Sequence, residues 1–376
     1  MEIVYNSYGG RFSDSPRAVY EALVARGAEA GHTWLCAPEH AAAFPAGVRT
    51  VAPHTPASRA ALEAADVLVA NYGTERGWRK KPGALHLQTW HGTPLKRIHN
   101  DALTMPDGPL GDDDHDVRSW DVLLSPSAAA TEPLRGAFRF PGPVPETGYP
   151  RNDVLSAPDR EERRAEVRAA LGVPEGVRAV LYAPTWRDDV VDVEGRRDFE
   201  LHLDVRRFAE RLGGDHVLLL RLHYFLSGRL GRLDVPGVLD VSGHPDIADL
   251  FLAADVLVTD YSSAMFDFAI TGKPIVFFAY DLAHFRDSLR GFYFDLEAIA
   301  PGPLLATSEE VVEAVADLDA VAARHADRYA AFRQRFCHLE DGRATERVVD
   351  LVMSWRHRGA GADVPGPRGA ASWAAV

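Results

Sequence analysis

Short apolar runs alternate with amphipathic stretches from one end of this chain to the other, a pattern that points to parallel sheets covered by helices. The runs at 3–5, 66–70, 85–89 and 122–125 read as strands, and residues 16–26 between the first two carry a helical pattern. Pro16 suits the first turn of that helix and Gly27 its stop. These elements combine into a single doubly wound unit in the N-terminal half. The Pro- and Gly-rich passage FPGPVPETGYP at 140–150 reads as a crossing between domains, and strands at 180–183, 217–221, 256–259 and 275–278 then build a second unit. From Thr307 the segment TSEEVVEAVADL opens with a capping box, Thr307 with Glu310, and runs on as helix. The expected division is 1–145 for a first Rossmann-like domain, 146–356 for a second with C-terminal helices, and 357–376 for a flexible tail rich in Gly, Pro and Ala.

A length of 376 residues agrees with two domains. Cys36 and Cys337 are the only cysteines, far apart and outside metal-ligand spacing, so neither a disulfide framework nor a zinc knuckle is expected. A formal net charge of −13 argues against nonspecific binding of nucleic acid, which needs a broad basic face. The start MEIVYNSYGG lacks a basic segment followed by an apolar run, and no stretch approaches eighteen uninterrupted apolar residues, so a cytoplasmic location is expected. One basic cluster stands out: Arg76, Arg79, Lys80 and Lys81 flank Trp78, with Lys96 and Arg97 soon after. Trp78, Arg79, Lys80 and Lys81 are therefore candidates for contact with anionic lipid headgroups; the alternative is a solvated loop.

Ligands of doubly wound sheets bind outside the carboxyl ends of the strands, and the chemistry-bearing residues fall there. In LQTWHGTPLK at 87–96, a strand pattern stops at Gly92 and Pro94 directly after His91, placing an imidazole in a strand-to-loop corner as a candidate general base. The bland reading is a histidine satisfied within its loop. In DVLVTDYSSAMFDF at 255–268, a buried strand gives way to Ser262 and Ser263 at a predicted helix N-terminus, a cradle for phosphate, with Asp267 a turn further on for ribose hydroxyls. An ordinary N-cap and a solvated aspartate are the competing readings. Thr185 and Arg187 follow another strand in YAPTWRDD, where Arg187 is placed to fork onto a diphosphate or else to pair with Asp188 or Asp189. His223, after VLLLRL, is a second candidate acid or base, and DDDHD at 112–116 reads as a solvated loop rather than a metal site.

WHGTPLK, GYPRND at 148–153, YAPTWRD, the RLH segment and TDYSSAMFDF, in this order, resemble the CDP-glycerol glycerophosphotransferases of teichoic acid synthesis. YNSYGGRFSDSPRAVYEAL at 5–23 is similar to the opening of that family's catalytic region, so the resemblance spans roughly residues 1–350. It implies a GT-B-like α/β fold, with two doubly wound parallel-sheet domains facing across a cleft, acceptor bound by the first and nucleotide donor by the second. It also implies transfer of glycerol phosphate from CDP-glycerol to a lipid-linked or polymeric glycan acceptor, without metal or other cofactor, at the inner face of the cell membrane. On that basis His91 is the base and His223 contacts the diphosphate. Thr185, Arg187, Ser262, Ser263 and Asp267 hold the donor, while Asn6, Gly92, Thr93 and Lys96 lie on the acceptor side. Tyr224 and Phe225 follow His223 where the family usually has proline. A ribitol-phosphate or sugar transferase of the same fold, and a noncatalytic CDP-ligand-binding protein, are the alternatives.

Overall fold

A computed structural model describes residues 1–103, 114–185, 187, 189, 201–222 and 235–355, without the side chains of Asp114 and His115. Among the described residues, twelve strands form two six-stranded sheets. The first contains β1 (Glu2–Asn6), β2 (Gly31–Leu35), β3 (Thr50–Val51), β4 (Val67–Ala70), β5 (Leu85–Gln88) and β6 (Val122–Leu123) in the order β3-β2-β1-β4-β5-β6. The second contains β7 (Arg178–Ala183), β8 (His216–Leu220), β9 (Val238–Asp240), β10 (Val256–Thr259), β11 (Ile275–Phe278) and β12 (Leu304–Leu305) in the order β12-β11-β10-β7-β8-β9. All pairings between these strands are parallel. In each sheet the strand order reverses direction beside the first strand. That reversal opens a crevice at the carboxyl ends of β1 and β4 in one sheet and of β7 and β10 in the other. The two doubly wound sheets are the GT-B-like α/β organisation that the motifs imply.

The strands read as apolar runs because helices cover both faces of each sheet. In β4, VLVA is buried throughout, and in β11 so is IVFF. The helix Val205–Leu212 shows how the second core is built: Val205, Phe208 and Leu212, spaced three and four apart, are buried against Val180, Leu218 and Leu220. Burying three such side chains contributes up to about 5–9 kcal/mol. Asp204 caps that helix by accepting the Arg207 N–H at 2.9 Å. The expected capping box at Thr307 and Glu310 is present on the helix Ser308–Ala316. The four strands without a sequence signal, β2, β3, β9 and β12, are edge or near-edge elements. Two of them are only two residues long, and GHTWL in β2 is too polar at its start to show a run.

Two boundaries differ from the sequence expectation. The compact units are 1–91 with 112–153 and 339–376, and 92–111 with 154–338. FPGPVPETGYP therefore does not cross between units. It continues the first sheet, with the carbonyls of Pro143 and Pro145 accepting N–H bonds from Leu123 and Ser125. Proline tolerates this edge position because it needs to donate nothing there. The chain passes over at 153–154 instead. It returns at the end: the helix Ala344–Trp355 buries Val348, Val349 and Val352 in the first core, beside Ile3, Tyr5 and Leu85. An apolar stripe on a helix shows that it is buried, without showing in which of two cores. The expected tail at 357–376 lies outside the described residues.

Candidate active site

His91 follows the end of β5 by three residues and is half-buried. Its imidazole stacks on Trp90 with ring centroids 3.9 Å apart, and the rings of Tyr8 and Tyr72 lie 5.5 and 6.3 Å away. Three non-glycine residues around it occupy the left-handed region: Tyr8 at φ 46°, Asp14 at φ 61° and Trp90 at φ 54°. Such conformations cost about 1–3 kcal/mol each and persist only where surrounding bonds enforce them. Those bonds are visible. The Trp90 N–H donates to Gln88 Oε1 at 2.9 Å, the Tyr8 N–H to Asn71 Oδ1 at 3.0 Å, and the Ser15 N–H to Asp14 Oδ1 at 2.6 Å.

Behind His91 stands a buried ion pair. Arg151 Nη1 donates to the His91 carbonyl at 2.7 Å and to Asp14 Oδ2 at 2.8 Å, with the two charged side chains 8% and 7% exposed. The Tyr8 hydroxyl also donates to Asp14 Oδ2, at 3.2 Å. Burial by itself would raise the Asp14 carboxyl, but Arg151 and the Ser15 N–H outweigh it and hold the group below its ordinary value. The result is a loop whose backbone is pinned by a charge-assisted bond while its half-buried imidazole lies among the rings of Trp90, Tyr8 and Tyr72. Sequence reasoning assigns neither Asp14 nor Arg151 a role. Arg151 belongs to GYPRND, and its position within a shared motif is the available signal.

His86, five residues earlier and within β5, is a useful contrast. It is fully buried, its Nδ1 sits 2.8 Å from Ser119 Oγ, and burial pushes its pKa down to about 4, leaving it neutral and structural. Asn6 ends β1 and is buried, with Nδ2 donating to the Gly73 carbonyl and Oδ1 without a partner. Gly92, Thr93 and Lys96, expected in the first domain, belong to the second unit. Lys96 bridges Phe292 there, Leu95 accepts the Tyr293 N–H at 2.8 Å, and Thr93 is 1% exposed.

At the switch point of the second sheet, β10 ends and the chain turns through Asp260 and Tyr261 to half-buried Ser262 and Ser263. Ser262 Oγ accepts the Ala264 N–H at 3.3 Å, and the following helix, Ala264–Phe268, is little more than one turn long. Asp267 is 5% exposed, so the solvated reading of that residue is corrected. Asp189, one of the two expected partners of Arg187, lies against His284 instead, with Oδ2 2.6 Å from its Nε2. Arg187 donates to Asp281 from Nε and Nη2 at 2.7 and 2.9 Å, and from Nη1 to Asp260 and the Thr185 carbonyl, both at 2.8 Å. These bonds tie Arg187 to Asp260, which belongs to the turn that carries the serines, and leave two carboxylates around one cation. Thr185 donates its N–H to Asp260 at 2.8 Å and has a buried hydroxyl without a partner.

The basic cluster is not an open patch. Trp78 is 4% exposed, packed with Val4, Leu35 and Leu62, and donates to Thr74. Lys80 pairs with Asp121 and Lys81 with Asp66, while Arg79 is exposed. The expected interfacial tryptophan is therefore a core residue, because its indole fills the space beside β1 and β4. His223 lies outside the described residues, as do Tyr224, Phe225, Asp188 and the first two acidic residues of DDDHD. Asp116, the last of that run, accepts from the Thr74 N–H at 3.0 Å and from Trp120 Nε1 at 2.9 Å, a structural role. Among the described residues no group of three His, Cys, Asp or Glu side chains is arranged to hold a metal ion.

Residues 1–354 match the family of CDP-Glycerol:Poly(glycerophosphate) glycerophosphotransferases. The chain is 36% identical over 361 residues to the teichoic acid poly(glycerol phosphate) polymerase of Bacillus subtilis (strain 168), covering 93% of this chain and 48% of that protein. It is 35% identical over 363 residues to the teichoic acid glycerol-phosphate transferase of Staphylococcus aureus (strain NCTC 8325 / PS 47), covering 93% of this chain and 92% of the relative. It thus spans about half the length of the first and nearly all of the second. Among solved structures, the wall teichoic acid polymerase TagF superposes with a TM-score of 0.86 at 34% identity, covering 95% of this chain and 89% of that one.

Proposed function

Because the chain belongs to the CDP-Glycerol:Poly(glycerophosphate) glycerophosphotransferase family, we propose that it moves glycerol phosphate from CDP-glycerol to a hydroxyl of a lipid-linked or polymeric cell-envelope acceptor. The observation that carries this reading is the setting of His91: a half-buried imidazole at a strand end, on a loop whose carbonyl is held by the buried Arg151–Asp14 pair. An imidazole fixed in place at a strand end is what the deprotonation of an attacking alcohol requires.

In the proposed reaction His91 removes the proton from the acceptor hydroxyl as its oxygen attacks the β-phosphorus in line. The bond from that phosphorus to the bridging oxygen breaks, CMP departs with the electron pair, and a phosphodiester forms. Ser262 and Ser263, at the switch point of the second sheet, are assigned to the diphosphate and Asp267 to the ribose; Arg187 supports them through Asp260. His223 is assigned to the departing CMP on the family resemblance. Asn6 is kept on the acceptor side because its Oδ1 is a buried acceptor without a partner. Gly92, Thr93 and Lys96 follow His91 directly in the chain and continue its loop. No metal enters the proposed scheme, so turnover persists in excess EDTA. A lipid-linked acceptor brings the enzyme to the inner face of the membrane, and no helix among the described residues is long and apolar enough to cross it.

Donor profiling tests the proposal. CDP-glycerol, CDP-ribitol and common nucleotide sugars are offered with a lipid-linked disaccharide acceptor, and CMP and the phosphodiester product are quantified. Acceptor-dependent CMP release from CDP-glycerol supports the reading. Reaction with CDP-ribitol or a nucleotide sugar alone would displace the glycerophosphate assignment, and binding of CDP-glycerol without turnover would favour a noncatalytic role.

A further inference from the structure

Tyr8 and Tyr72 are large side chains left exposed, at 38% and 51%, and both stand at the topological switch point of the first sheet. Tyr8 lies two residues past the end of β1 and Tyr72 two past the end of β4, and these strands are direct neighbours. Their ring centroids are 6.3 Å apart, and each ring borders the His91 imidazole. Full burial of an aromatic side chain stabilises a fold, a gain these two forgo in part. Tyr8 adds the cost of its left-handed backbone, φ 46°.

The exposure is enforced rather than incidental. Asn71 accepts the Tyr8 N–H through Oδ1 and donates from Nδ2 to Ser7 Oγ at 3.2 Å, so the residue immediately before Tyr72 also fixes the loop that carries Tyr8. The Tyr8 hydroxyl is tied to Asp14, the same carboxylate that engages Arg151. Two rings held in place beside a base are suited to contact whatever that base deprotonates.

Geometry narrows the contact. A hydroxyl giving its proton to His91 has its oxygen about 3 Å from an imidazole nitrogen. Its carbon skeleton then falls within van der Waals reach of rings centred 5.5 and 6.3 Å from the imidazole. The faces of aromatic rings carry partial negative charge and attract the weakly positive hydrogens of a polyol or sugar C–H face. A phosphate is a poorer match, because the Arg151 charge is met by Asp14.

We propose that Tyr8 and Tyr72 form an acceptor subsite that receives the C–H face of the acceptor's terminal polyol or sugar unit while its hydroxyl points at His91. This rests on the glycerophosphotransferase reading and adds the chemistry by which the acceptor end is recognised. The test uses Tyr72→Ala, Tyr72→Phe and Tyr8→Phe in the full chain, with a short-chain, water-soluble disaccharide–glycerol phosphate acceptor. Its KM is measured at saturating CDP-glycerol, alongside the KM for CDP-glycerol. Tyr72→Ala raises the acceptor KM about tenfold and leaves the donor KM within about twofold, while Tyr72→Phe, which keeps the ring, restores the acceptor KM to within about threefold. Tyr8→Phe shows whether the ring suffices at the first position as well; a tenfold loss of acceptor affinity there would contradict the stacking account. An unchanged acceptor KM in Tyr72→Ala, or donor and acceptor KM rising together, would overturn the proposal. If the wild type releases no CMP from CDP-glycerol, the parent reading fails on its own. Calorimetric titration of the same acceptor then decides the subsite, which requires weaker binding by Tyr72→Ala and is refuted by equal binding.

Discussion

Asp14→Ala is expected to damage both stability and turnover, because it removes the carboxylate that holds Arg151 against the His91 carbonyl. The side chains of this pair are 7% and 8% exposed, and the same carboxylate accepts the Ser15 N–H and the Tyr8 hydroxyl. Removing one member of a buried pair costs about 3–5 kcal/mol, against about 0–1 kcal/mol for an exposed pair. In a unit of this size 1 kcal/mol moves Tm by about 2–4 °C, so the expected fall is on the order of 10 °C. Scanning calorimetry of the full chain is the assay, since two units give no guarantee of a single transition. The sign of the pH dependence follows from the lowered Asp14 pKa. Its contribution is present above the unfolded value near 4 and is lost as pH falls through the folded one, so the gap between wild type and variant narrows below about pH 4. Displacement of the His91 loop should also lower kcat about 10²-fold while CDP-glycerol binding persists. A Tm loss under about 3 °C with unchanged kcat would refute the argument that this pair positions the base.

Arg187→Met leaves Asp260 and Asp281 facing each other without their shared cation, so it should cost about 3–5 kcal/mol in thermal stability; a purely ligand-binding arginine would instead raise the donor KM with Tm unchanged. Gly148→Ala should destabilise by about 1–3 kcal/mol, because Gly148 has φ +73° and a Cβ there would lie 2.8 Å from the Leu339 carbonyl; a neutral melt would show that the turn relaxes freely. Lys273 donates to the carbonyls of Phe251, Leu252 and Ala254, and burial, with Arg164 nearby, pushes its pKa down to about 8. Between that value and the unfolded 10.5 the unfolded chain binds the extra proton, so stability should rise by on the order of 2 kcal/mol from pH 8 to 10.5 and the rise should vanish in Lys273→Met.

Much of the fold is legible because buried parallel strands announce themselves as apolar runs. All eight expected strands are present, and the crossing points of the pattern locate the ends where chemistry belongs. What sequence does not reveal is pairing across distance. Nothing in FPGPVPETGYP distinguishes a linker from an edge segment whose proline carbonyls accept from Leu123 and Ser125. The helix Ala344–Trp355 carries an apolar stripe that would suit either core. Trp78 among four cations looks interfacial until Lys80 and Lys81 are seen to pair with Asp121 and Asp66 while the indole fills the core. The same holds at the site. His91 is visible as a histidine in a strand-end corner, but Asp14 and Arg151 are 137 residues apart and only the fold brings them together. Arg187 reads as a ligand for a diphosphate because its carboxylate partners, Asp260 and Asp281, are distant in sequence.

The most direct test of the central claim is acceptor-dependent CMP release from CDP-glycerol by His91→Ala compared with wild type, in single-turnover format, with donor binding measured separately by calorimetry. The account predicts that the variant binds CDP-glycerol as tightly as wild type and releases CMP at least about 10²-fold more slowly. A variant that keeps the wild-type rate would remove His91 from the role of base.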